Sequence, residues 1–189
     1  MISAIQDSAK RVYSLLENLL DWACIQRDGI HLYPNNFDLN KIISKNIEFV
    51  RFSASMKNIS IINNVSENIE IYADNNSLDT IFRNLLSNAV KFTNHDGEIE
   101  IFTKNTDLKT IEVFIKDNGI GIKETILSNL FKIDSCQSSV GTAEEHGSGL
   151  GLIICKDLIE KNGGNIFVES EFGKGTTFKF TIPLSKFDS

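Results

Sequence analysis

From Phe37 onward the apolar residues change period repeatedly, between the three-to-four-residue step of a helix and the two-residue step of a strand. That alternation narrows the fold more than any other feature. The spacing predicts helices over 38–57, 77–92 and 149–162, with a shorter one over 123–131. Strands are expected over 59–65, 69–74, 97–104, 110–117, 164–171 and 175–183. Several consecutive strand pairs are joined by short turns, so the sheet should be mixed and largely antiparallel, with helices on one face. The expected architecture is an α+β two-layer sandwich, not a doubly wound parallel sheet.

Residues 2–27 carry a different pattern. Ile5, Ala9, Val12, Leu16, Leu19 and Ala23 alternate in steps of four and three, the 3.5-residue period of a helical-bundle seam. Leu15, Leu20 and Trp22 widen the stripe, and Gly29 marks its end. A helix packed on its own domain would show a similar stripe, but the heptad step with its flanking apolar residues favours a multi-helix bundle built with another copy of the chain. Pro34, Asn35 and Asn36 read as breakers. The expected organisation is a partial bundle helix over 1–28, a linker over 29–36 and a globular domain over 37–189.

The 189-residue chain has a formal net charge of −6 and lacks a Lys/Arg cluster, which speaks against nucleic-acid binding. Its three cysteines, Cys24, Cys136 and Cys155, are widely spaced without a CxxC, which fits neither a disulfide framework nor a zinc site. A reducing, cytosolic setting is expected. No stretch reaches the length of a transmembrane helix, so any membrane anchor of a parent protein lies outside this sequence.

Four segments carry candidate chemistry. In NLLSNAVKF (84–92), Asn84, Asn88 and Lys91 stand at i, i+4 and i+7 and form a polar stripe beside the buried helix face. Amide oxygens suit a hydrated cation and an ammonium suits a phosphate, although a plain solvated face has the same pattern. In DNGIGI (117–122), Asp117 closes a strand, where a carboxylate can accept from an exocyclic amine. Gly119 and Gly121 permit a sharp turn, and an ordinary turn reads the same way. GSGLGL (147–152) opens a helix, where glycine-exposed N–H groups and the helix dipole favour an anion. It lacks the strand before a dinucleotide fingerprint and the GK[ST] ending of a P-loop. The aperiodic run 132–148 before it suits a mobile lid or a flexible connection. GKGTTF (173–178), between two strand patterns, reads by itself as a hairpin turn.

In order and spacing, these segments resemble the N, G1, G2 and G3 boxes of bacterial-type sensor histidine kinases. Those kinases belong to the ATPase superfamily that includes DNA gyrase B, Hsp90 and MutL, with the Bergerat-type ATP-binding fold. LFK (130–132) resembles the F box, and ENLLDWACIQ (17–26) resembles the second helix of the dimerisation and phosphotransfer domain. The resemblance implies the cofactors ATP and Mg²⁺. Asn88 would hold Mg²⁺ bridging the phosphates, Lys91 would touch a phosphate, and Asn84 would line the same face. Asp117 would accept the adenine amino group, with Gly119 and Gly121 shaping that wall. Gly147, Gly149 and Gly151, with the backbone at Leu150 and Leu152, would cradle the phosphates. Thr176 would join the adenine end, and Phe131 would anchor the lid.

Gyrase-like members carry a Glu where Asn84 stands, and that Glu activates the attacking water. An amide cannot be that base, which favours a kinase over the alternative of an ATP-hydrolysing member. A degenerate, non-catalytic signalling domain is a further alternative. The family's phosphoacceptor sits in an H-E/D-L-R-like box, and none of His31, His95 and His146 has that context. The resemblance therefore implies no catalytic residue within this chain and no autophosphorylation. The expected partners are a response-regulator receiver domain and a second protomer joined through the bundle.

Overall fold

The computed structural model describes residues 32–105, 109–132, 141–143, 145 and 149–184. The expected bundle helix over 2–27, with Cys24 and His31, lies outside the described residues, as do Cys136, His146 and Gly147.

Strand β1 (Pro34–Asp38) leads into helix α1 (Leu39–Met56), followed by β2 (Ser60–Asn63) and β3 (Glu70–Asp74). Helix α2 (Asn75–Phe92) comes next, then β4 (Glu98–Asn105), β5 (Thr110–Asp117) and the single turn α3 (Glu124–Leu127). Helix α4 (Gly151–Lys161), β6 (Ile166–Glu171) and β7 (Gly175–Pro183) complete the chain of elements. Five strands form one sheet in the order β2-β4-β5-β7-β6, with β2 parallel to β4 and the other pairs antiparallel. The expected mixed, largely antiparallel sheet is therefore present.

Two features differ from the sequence reading. Pro34 to Asp38, read as breakers and the start of a helix, instead form a strand antiparallel to β3. Proline is tolerated there because it opens a strand that has only one neighbour. The Asp74 carboxylate fixes the entry by accepting from the Tyr33 N–H at 3.0 Å. Also, β2 and β3 follow one another without pairing. Asn40 Nδ2 donates to the Val65 carbonyl at 2.7 Å, and the Val65 N–H donates to Asn63 Oδ1 at 3.1 Å. These amides turn the chain off the sheet edge before it can form a hairpin. The hairpins β4–β5 and β6–β7 form as expected.

One face of the sheet makes the core. Ile99 and Ile101 of β4, Val113 and Ile115 of β5, and Phe178 and Phe180 of β7 are all buried. Against them α2 packs Leu78, Ile81, Phe82, Leu85, Leu86 and Ala89, with the rings of Phe82 and Phe180 edge-on at 5.5 Å. Helix α1 adds Leu39, Ile43 and Val50, and α4 adds Ile154, Leu158 and Cys155. Cys155 is a free thiol, and burial pushes its pKa upward, as expected of core filler. On the opposite sheet face Phe102 and Phe114 stack at 4.7 Å beneath Lys104.

Candidate functional site

Helix α2 carries the polar stripe. Asp74 caps it, accepting from the Ser77 N–H and hydroxyl at 2.7 Å each. Burying Leu78, Ile81, Phe82 and Leu85 turns the neighbouring positions Asn84, Asn88 and Lys91 toward one partly exposed side. Asn84 spends its Nδ2 on the Thr80 carbonyl at 3.0 Å. Its Oδ1 faces the start of α4, so close that a Cβ on Gly151 would lie 2.6 Å from it. The small residue at Gly151 thus lets the second glycine-rich segment seat against the stripe.

Asp117 closes β5, opposite Ile99 on one side and Thr176 on the other. Its Oδ1 accepts from the Gly119 N–H at 2.9 Å and the Thr176 N–H at 3.2 Å, while Oδ2 takes no donor among the described residues. Burial raises its pKa from 3.8 to about 6, against the pull of those two backbone donors. The turn after it rests on the end of α2, where the Ile120 N–H donates to the Phe92 carbonyl at 3.0 Å. A side chain at Gly119 would collide with that same carbonyl, and Gly121 adopts φ 64, so both glycines are dictated by geometry.

Ser170 was not singled out in the sequence. Its hydroxyl accepts from the Ile122 N–H at 2.8 Å, donates to the Gly175 carbonyl at 2.9 Å and lies 3.0 Å from Thr176 Oγ1. It joins the 117–122 turn to the 173–178 segment. The register that sets Ser170 opposite Thr176 was available from pairing the last two strands. Lys57, Thr142 and Glu145 were also missed, because a lysine at a helix end and two residues in an aperiodic run carry no pattern. Their contacts surround Lys91.

Burial lowers the Lys91 pKa, and the Glu145 carboxylate partly offsets this. Burial also acts to raise Glu145, but hydrogen bonds from Lys57 and the Ala143 N–H outweigh it and leave that carboxyl below its ordinary value. Phe131, Leu150 and Leu152 pack half-buried against the core, so any contact from Leu150 or Leu152 to an anion falls to the backbone. His95 is exposed in a turn.

The structure thus brings Asn84 to Gly151, and Asp117 to Gly119 and Thr176. A buried carboxylate with one oxygen unclaimed fits an amine-bearing base. No cluster of three His, Cys, Asp or Glu able to hold a metal occurs among the described residues. Mg²⁺ does not require one, since it keeps several waters and takes few protein oxygens beside phosphates.

Residues 73–186 match the model of the histidine kinase-, DNA gyrase B- and HSP90-like ATPases. The chain belongs to that family, and its relatives identify it as a sensor histidine kinase ATP-binding domain. It is 34% identical over 96% of its length to hybrid signal transduction histidine kinase B of Dictyostelium discoideum, spanning 10% of that protein. It is 31% identical over 98% of its length to the autoinducer 2 sensor kinase/phosphatase LuxQ of Vibrio vulnificus, spanning 22% of it. The chain therefore covers well under half of these relatives, which are not confined to bacteria.

Among solved structures, full-length ShkA in complex with AMPPNP superposes with TM-score 0.81 at 28% identity, covering 96% of this chain and 38% of ShkA. Histidine kinase ThkA in complex with the response regulator TrrA shares the fold with TM-score 0.77 at 23% identity, covering 97% of this chain and 50% of that one.

Proposed function

We propose that this chain binds Mg·ATP and serves a protein histidine kinase, which transfers the γ-phosphoryl group to a histidine of a helical bundle to which residues 2–27 contribute. The observation that carries this reading is Asp117, a buried strand-end carboxylate with Oδ1 fixed by two backbone donors and Oδ2 without one among the described residues. Oδ2 accepts the adenine amino group, and Gly119 and Gly121 let the backbone wall stand close to the ring. Thr176, held by Ser170, completes that end. Asn88 offers its amide oxygen to Mg²⁺, Lys91 meets a phosphate oxygen, and the backbone from Gly149 to Leu152 lies along the phosphates.

Mg²⁺ supplies charge neutralisation at the transferring group. The protein contributes position and electrostatics, which dominate phosphoryl transfer. The attacking imidazole nitrogen forms the new bond to phosphorus as the bond to the ADP oxygen breaks. From that histidine the phosphoryl group passes to an aspartate of a response-regulator receiver domain. The bundle makes the parent a dimer, and the reaction takes place in the cytoplasm.

Asn84 separates a kinase from a hydrolase. It is an amide bonded to its own helix, so no proton acceptor stands at the position where gyrase-like members hold a glutamate. ATP incubated with the purified chain should therefore be released as ADP and phosphate no faster than background, with no acid-labile phosphate on the chain. Sustained hydrolysis would place the chain among the ATP-hydrolysing members instead.

A further inference from the structure

Lys57 follows the last residue of α1 and is the least exposed lysine of the described chain, with 4% of its side chain accessible. Its ammonium donates to the carbonyls of Val90, Lys91 and Thr93 at 2.9, 3.0 and 3.4 Å, at the end of α2. It also donates to Thr142 Oγ1 at 2.7 Å and pairs with Glu145 Oε1 at 2.7 Å. Residues 141–143 and Glu145 are themselves drawn together. The Gly141 N–H donates to the Glu145 carbonyl at 2.8 Å, and the Ala143 N–H donates to Glu145 Oε2 at 2.7 Å.

Thr142 then binds the same helix end a second way. Its N–H donates to the Lys91 carbonyl at 3.0 Å, and its hydroxyl lies 3.2 Å from that oxygen and 2.8 Å from the Thr93 carbonyl. Gly141 sits against the Lys91 stem, where a Cβ would come within 2.5 Å of Lys91 Cγ.

We propose that Lys57 is a positioning residue of the nucleotide site, fastening residues 141–143 and Glu145 to the end of α2 so that Lys91 is held at the phosphate end. The inference rests on the nucleotide-binding reading above. A lysine over the last carbonyls of a helix is an ordinary cap. This one differs in its reach: one buried ammonium ties the carbonyl of Lys91 to the segment that packs on the Lys91 side chain. Glu145 adds a negative charge on that side, balanced by Lys57, so the electrostatic setting of Lys91 depends on the same contact. Losing Lys57 would leave the Val90 carbonyl without this donor, the Lys91 and Thr93 carbonyls to Thr142, and Glu145 without its countercharge. Lys91 would keep its place in the sequence but not its direction.

The test compares two ligands, Mg·AMPPNP and adenosine, titrated by calorimetry into the whole chain and its variants. Thr142→Val keeps the shape of the residue and removes only the hydroxyl bridge. Its affinity for Mg·AMPPNP should fall about fivefold, the scale of one neutral hydrogen bond, with adenosine affinity unchanged. Lys57→Met should lose more than about tenfold for Mg·AMPPNP, the scale of a charged hydrogen bond, again sparing adenosine. If Lys57→Met does not fold, Thr142→Val decides alone. Equal losses for both ligands would mean a purely structural role, and unchanged affinities would mean none; either result overturns the proposal. A wild-type chain that binds neither ligand would instead overturn the nucleotide-binding reading on which it rests.

Discussion

Asp117 concentrates the conflict between stability and function in one side chain. Its pKa is raised in the fold, from 3.8 to about 6, by burial. Folding therefore favours the protonated acid. The penalty is absent below 3.8, grows as pH rises through the interval to about 6, and is constant above it. At about 1.4 kcal/mol per tenfold change in protonation, it is at most about 3 kcal/mol. Asp117→Asn keeps the acceptor for Gly119 and Thr176 without the charge, so at pH 7 it should gain about 1–3 kcal/mol in urea unfolding and lose the gain near pH 4. The same substitution should abolish adenosine binding, because an amide nitrogen faces the incoming amine. Wild-type affinity for adenosine should fall as pH drops through about 6, where Asp117 takes up its proton. Adenosine carries no phosphate to titrate there, so the decline reports the carboxylate.

Among the elements, α2 does most of the positioning, and Asp74 determines where it begins. That carboxylate accepts from Ser77 at the helix start and from Tyr33 ahead of β1, so one residue holds both the strand the sequence concealed and the helix it revealed. Burial acts to raise its pKa, but the bonds from Ser77 and Tyr33 outweigh it and leave the value below 3.8. The stability it contributes is present above 3.8 and lost as pH falls through the lower folded value. Asp74→Ala should cost about 1–3 kcal/mol, a cap plus a strand anchor, in thermal or urea unfolding at pH 7. The cost should shrink toward acid pH. Helix α2 was legible because its apolar face repeats at the helical period and places Asn84, Asn88 and Lys91 beside it. Strand β1 was not, because Pro34 and two asparagines signal a turn unless β3 is already there to pair with. The separation of β2 from β3 was hidden for a similar reason: it depends on Asn40 and Asn63, which make long-range and local bonds that no period records.

Across the whole molecule, the ordered glycine-rich segments made the site legible before its geometry was known. Each segment alone reads as a turn or a solvated face. Together they converge, since one layer of helices on a five-stranded sheet brings the end of β5, the end of α2 and the start of α4 to the same side. The contacts that fasten this side, from Ser170, Lys57, Thr142 and Glu145, stayed hidden because they are networks of side-chain hydrogen bonds, most of them between residues far apart in sequence, that no hydrophobic period records. Binding of Mg·ATP to this side of the molecule can be measured by calorimetric titration with Mg·AMPPNP of the wild-type chain, Asp117→Asn and Asn88→Ala. One nucleotide should bind per wild-type chain and none per Asp117→Asn chain, and binding by Asn88→Ala should no longer depend on Mg²⁺. A wild-type chain that binds no nucleotide, or an Asp117→Asn variant that binds it as well as wild type, would contradict binding at this site.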